Sequence, residues 1–187
     1  MELKIAEYSD YQRIAQLQTH HWQTLYHGML DEEYLQNDIL EERALIWQTR
    51  LLNPSYNQHI LLLEHQNELC GFICAFGNHD YEKGSMIDSL YVASEYQAQG
   101  LEHQLILAMT EWLERYFADG GVYIEVVEKN APAIAFYTQM EGKVMQHRHW
   151  KPSCGGAFPE VALTWPSPQH LRHAIASIEP ADFLLSA

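Results

Sequence analysis

The run MIDSLYVASEYQAQGLEHQL, residues 86–105, carries three local signals in succession. The β-rich stretch SMIDSLYVA at 85–93 predicts a strand. Gly100 then offers a turn, and Leu101, Leu105, Ala108, Met109, Trp112, Leu113 and Tyr116 recur on one helical face. A strand that turns through glycine into a helix leaves the first backbone N–H groups pointing outward, with the positive end of the helix dipole behind them. Such a turn can bind a pyrophosphate. Taken alone the signal is weak, because connections that bind nothing are often built the same way.

Working outward, Gly120-Gly121 ends the helix, VYIEVV at 122–127 predicts a strand, and Asn130 is placed to cap a short helix, APAIAFYTQM, closed by Gly142. Tyr137 falls seven residues after Asn130, two turns along on the same side. Further strands are expected at 143–150 and 158–165. Upstream, HILLLEH at 59–65 and LCGFICAF at 69–76 flank a short polar connection and read as a hairpin. Alternation in ELKIAE at 2–7 predicts another strand, and Ser9 with Gln12 has capping-box spacing for a helix carrying Ile14, Leu17, Trp22 and Leu25. A second helix is expected from about Asp31 to Leu51, with a break near Glu41 and a stop at Asn53-Pro54. Strands alternating with helices around a central hairpin give an α/β class: a mixed sheet of about six to seven strands with helices on both faces.

A length of 187 residues suits one domain, and 47% apolar with 19% charged residues provides a substantial core. Eleven Lys and Arg against 25 Asp and Glu give a formal charge of -14, which disfavours nucleic acid and anionic membranes and attracts amines and other cations. The start MELKIAEYSD has no signal-peptide character, and no apolar run reaches membrane-spanning length, so a cytoplasmic location is expected. Cys70, Cys74 and Cys154 cannot all pair and form no CxxC, which points to reduced core thiols. His147 and His149 share a strand face, but two ligands do not make a metal site, and no metal is expected. Ser167-Pro168 opens a further helix, and Phe183, Leu184 and Leu185 give the tail an apolar end. Residues 167–187 are therefore expected as an extension of a domain at 1–166, docked on it or on a second subunit of a homodimer.

Four pieces of the chain resemble the GCN5-related N-acetyltransferase superfamily. LYVASEYQAQG looks like its central strand and the first part of its pyrophosphate signature, [QR]xxGx[GA], with Gln97 and Gly100 in place. NAPAIAFYTQMEGKV resembles the later motif in which Asn and Tyr face the cofactor. HWQTLYHGMLDEEYL and GGAFPEVALTW are similar to the acceptor-wall segment and last strand of a bacterial branch. The signature's last position, normally Gly or Ala, is Glu102 here, and Gln99 stands where a basic residue is often found.

The resemblance implies transfer of an acetyl group from acetyl-coenzyme A to a primary amine of a small molecule or peptide, by direct attack in a ternary complex. Leu90, Tyr91, Val92, Gln97, Ala98, Gln99, Gly100, Leu101, Glu102, Asn130, Ala133 and Tyr137 would then hold the cosubstrate. Tyr137 would protonate the departing thiolate, Asp88 and Glu125 are the carboxylates placed to take the amine's proton, and Trp22, Tyr26 and His27 would line the acceptor side. The alternative is a member of the same fold, degenerate at Glu102, that serves ligand sensing or partner binding.

Overall fold

The computed structural model describes residues 1–178. Seven strands form one mixed sheet: β1 (Glu2–Ile5), β2 (Gln58–His65), β3 (Glu68–Asp80), β4 (Gly84–Val92), β5 (Val122–Val127), β6 (Lys143–Trp150) and β7 (Phe158–Trp165), in the order β1-β2-β3-β4-β5-β7-β6. Neighbours are antiparallel except the central pair, β4 and β5. The helices are α1 (Tyr11–Leu25), α2 (Ile39–Leu52), α3 (Leu101–Tyr116), α4 (Ala131–Gln139) and α5 (Pro168–Ala176). This is the α/β architecture expected from the sequence.

The period-2 alternation of β2 sorts its side chains to the two faces. Ile60 and Leu62 meet Ile14 and Ala15 of α1 and Trp47 of α2, while Leu61 and Leu63 meet the apolar stripe of α3. Phe136, Tyr137 and Met140 of α4 and Leu171 and Ile175 of α5 join that second layer. The helix opened by Ser167, whose hydroxyl accepts from the His170 N–H, thus packs on its own domain; Phe183, Leu184 and Leu185 lie outside the described residues.

Two local details differ from expectation. The capping box before α1 is formed by Glu7 and Asp10 in place of Ser9 and Gln12, because the buried Asp10 carboxylate accepts from the Glu7 N–H at 2.7 Å and also holds Arg13. The second helical stretch has no break near Glu41. It carries a π-helical turn at Tyr34–Asp38 and runs on into α2. Asn130 caps α4 as expected, accepting from the Ala133 N–H at 3.1 Å.

Candidate active site

β4 and β5 pair only at Ser85–Val122 and Met86–Tyr123. Beyond those residues the two strands no longer bond to each other, while β4 stays paired with β3 on its other edge. Opposite the Cys74–Ala75 step of β3, the partners on β4 jump from Ser89 to Ile87, so Asp88 is the extra residue of a bulge. The gap between the strands opens into a cavity of about 960 Å³, walled by Leu90, Tyr91 and Val92 of β4, by Ile124 to Val127 of β5, and by α4.

At one end lie Gln97 and Glu102, at the start of α3. Gly100 is the N-cap with φ 74°, a left-handed conformation that glycine adopts without steric cost, and Ala98 also has positive φ, 58°. The first N–H groups of α3 have no partner within the helix. One of them is taken: the Glu102 carboxyl accepts a hydrogen bond from its own backbone N–H. Burial raises the affinity of that carboxyl for a proton above the ordinary carboxylate range, partly offset by this bond.

The middle of the cavity holds Asn130, Ala133 and Tyr137. Burial, then the neighbouring Tyr91 and Glu102, pushes the Tyr137 phenol well above the usual tyrosine range, so it stays protonated. The Gly142 N–H donates to the Tyr137 carbonyl at 2.9 Å, and a Cβ at Gly142 would lie 2.6 Å from that oxygen, so the close approach requires glycine. Asp88 lines the cavity with both oxygens engaged, by Arg50 Nη1 at 2.7 Å and Nη2 at 3.1 Å and by the Ser89 hydroxyl at 2.7 Å. Glu125 is held by Lys83 at 3.3 Å and by Arg148.

The other end is aromatic. Trp22, Tyr26 and Trp150 meet pairwise with ring centroids 5.0 to 5.5 Å apart. Trp22 Nε1–H donates to the Tyr91 hydroxyl at 2.9 Å, and the Arg43 guanidinium lies 4.4 Å over the Trp22 ring.

Of the residues expected at the site, twelve therefore line the cavity: Trp22, Tyr26, Asp88, Leu90, Tyr91, Val92, Gln97, Glu102, Glu125, Asn130, Ala133 and Tyr137. Ala98, Gln99, Gly100 and Leu101 do not; Gln99 turns back to the Glu95 carbonyl and Leu101 is buried under α3. His27 lies outside as well, exposed and 2.9 Å from Glu32. Sequence reading missed Trp150, Arg50, His21 and Glu160, all of which line the cavity. His21 Nε2 lies 2.7 Å from the Val92 carbonyl, and burial lowers the proton affinity of this imidazole, favouring the neutral form that donates through Nε2–H.

A profile of the acetyltransferase (GNAT) family matches residues 16–142, more than half of the chain. The chain belongs to the GNAT acetyltransferase family. The acetyltransferase is 24% identical over 164 residues to the uncharacterized N-acetyltransferase YuaI of Bacillus subtilis, covering 86% of this chain and 90% of that one. Its fold is shared with the PaiA N-acetyltransferase of Thermoplasma acidophilum, solved in complex with coenzyme A: TM-score 0.66, 18% identity, 86% of this chain and 98% of that chain. A mutant of the spermidine N-acetyltransferase SpeG of Vibrio cholerae matches with a TM-score of 0.64 at 14% identity, covering 92% and 97%. Among the described residues, no helix is long and apolar enough to cross a membrane, and no group of three metal-ligating side chains converges.

Proposed function

We propose that this acetyltransferase moves the acetyl group of acetyl-coenzyme A to a primary amine of a small molecule or peptide, by direct attack in a ternary complex. The observation that carries the reading is the single cavity between the parted strands β4 and β5, which reaches from the glycine-capped start of α3 to the aromatic wall. Coenzyme A in the PaiA complex and the amine named for SpeG support the same chemistry.

The residues present suit the cosubstrate in most respects. The turn Gln97–Glu102 offers backbone N–H groups for the pyrophosphate, the β4 edge at Leu90 to Val92 offers main-chain groups for the pantetheine arm, and Asn130 and Ala133 flank its path. Glu102 works against the fit by occupying one N–H with a carboxyl.

Acetyl-coenzyme A supplies a thioester carbonyl when bound. Tyr137, held protonated by burial, is placed to give its phenolic proton to the departing sulfur. Asp88 and Glu125 border the cleft, and each is paired with cations. In this reading they fix Arg50, Lys83 and Arg148 around the cleft. With a net charge of -14, a cationic acceptor is favoured.

The second reading, a member of the fold without turnover, rests on the Glu102 carboxyl in the phosphate turn. Thiol release from acetyl-coenzyme A, followed with a chromogenic disulfide across a panel of primary amines, separates the two. Amine-dependent release supports the transferase. Absence of release with every amine, despite binding of acetyl-coenzyme A, supports the second reading.

A further inference from the structure

Beneath the aromatic wall lies a carboxylate that no motif pointed to. Glu160, on β7, pairs in the sheet with Val127 of β5 and Arg148 of β6, and its side chain lines the cavity. The residue is 5% exposed. Arg148 Nε sits 2.8 Å from Glu160 Oε1, but its N–H is not aligned, and that buried oxygen has no hydrogen bond. Leaving such an oxygen unsatisfied is costly, which calls for a donor that arrives with the ligand.

The other acids of the cavity already accept hydrogen bonds. Glu42 receives the Tyr34 and Ser153 hydroxyls at 3.0 and 2.5 Å and is paired with Arg43. Asp88 is held at both oxygens by Arg50, and Glu125 by Lys83 and Arg148. Glu102 accepts from its own backbone N–H at the start of α3. Glu160 stands opposite Arg148 and two residues along β7 from Phe158, the partner of Trp150, so it shares a sheet face with the Trp150 ring that meets Trp22 and Tyr26.

We infer that Glu160 is the acceptor-binding carboxylate: it pairs with the ammonium group of a cationic primary amine whose apolar chain lies along Trp22, Tyr26 and Trp150, and it takes that group's first proton. The inference rests on the proposed transferase reading for its second half only. Aromatic faces attract a cation, and a buried carboxylate gives the directed partner. The ammonium gives one proton to Glu160 and becomes a neutral amine; its lone pair forms the C–N bond as the C–S bond breaks. Tyr137 gives its proton to the departing sulfur and is restored by the second proton lost from nitrogen, and the proton held by Glu160 passes to solvent, so one proton is released overall.

Four elements set the charge around Glu160: Arg148 on β6, Glu125 on β5, Lys83 in the turn between β3 and β4, and Tyr26 at the end of α1, which has no C-terminal basic residue. Burial is the largest influence and raises its proton affinity, Arg148 and Lys83 lower it, and Glu125 raises it. The balance leaves it above an ordinary glutamate, which makes it the stronger base.

The test titrates wild type, Glu160→Gln and Glu160→Asp with benzylammonium, n-butylammonium and the matching neutral alcohols, and separately with acetyl-coenzyme A. Expected are ammonium ions binding wild type about tenfold or more tighter than the alcohols, and loss of that preference in Glu160→Gln with partial return in Glu160→Asp. Acetyl-coenzyme A should bind all three alike. The acidic limb of kcat/KM against pH should move in Glu160→Gln. Equal ammonium affinity in wild type and Glu160→Gln, or no ammonium binding by wild type, overturns the inference. If Glu160→Gln loses its circular-dichroism signature, Glu160→Asp decides by the same comparison. Failure of acetyl-coenzyme A to bind wild type, with Glu160-dependent ammonium binding intact, overturns the transferase reading and leaves the ammonium site standing.

Discussion

At the start of α3, Gln97 and Glu102 face the cavity, and the turn between them has backbone geometry: a left-handed glycine, a left-handed alanine and the first N–H groups of a helix. At the opposite end, Trp22 and Tyr26 come from α1 and its C-terminal cap, Trp150 from β6 and Glu160 from β7, and the geometry is that of side chains meeting across the fold. At the first end, substitution should be felt most at the left-handed Gly100 and at Glu102. The second depends on every member, because each ring is positioned by the others. On the proposed reading the first end serves the cosubstrate and the second the amine, so variants at each should act separately.

The largest effect is expected at Tyr137. On the proposed mechanism Tyr137→Phe removes the proton meant for the leaving sulfur and should lower kcat by about a hundredfold to ten-thousandfold, with acetyl-coenzyme A affinity unchanged by calorimetry. Trp150→Ala should act on one end only. Loss of its ring contacts to Trp22, Tyr26 and Phe158 should raise KM for the amine by about tenfold or more and leave KM for acetyl-coenzyme A in place.

Glu102→Gln should act on the other end, and in the opposite direction. Repulsion of roughly 1–4 kcal/mol between a carboxylate and a phosphate at about 4 Å corresponds to about fivefold to a thousandfold in affinity, so the variant should bind acetyl-coenzyme A more tightly. The sign with pH follows. Glu102 is neutral below its folded-state pKa, which burial holds above the usual carboxylate range, and charged above it. Wild-type affinity should fall as pH rises through that interval, and the fall should be smaller in Glu102→Gln. The smallest effect is expected at His27, exposed and outside the cavity: His27→Ala should leave both KM values and kcat unchanged in steady-state assays.

The same contrast explains what the sequence disclosed. Gly100, Asn130 and Tyr137 were legible because each acts through neighbours a few residues away: a turn, an N-cap, a spacing of two helical turns. The seven strands were legible from alternation and turn residues, with the central hairpin as anchor. Glu160 was not, because its burial depends on β5, β7 and β6 lying side by side and on aromatic residues far away in the chain. The one local hint was an acid inside the otherwise apolar strand FPEVALTW. Asp88 reads in the sequence as a carboxylate placed to take a proton, and its pairing with Arg50 is hidden because Arg50 lies on α2 and nothing near Asp88 in the chain announces that bond. The capping box was displaced for a similar reason. Glu7 with Asp10 and Ser9 with Gln12 both have the right spacing, and Asp10 prevails because its carboxylate also serves Arg13, against the sheet residue Glu64.

Calorimetric titration of the purified acetyltransferase with acetyl-coenzyme A, beside Glu102→Gly in the same salt, tests the central claim most directly. The expected result is binding of one molecule per chain by both proteins, in the micromolar range for wild type and tighter for the variant. Absence of binding by wild type together with binding by Glu102→Gly would contradict the account, and would mean that the cavity between β4 and β5 serves another ligand.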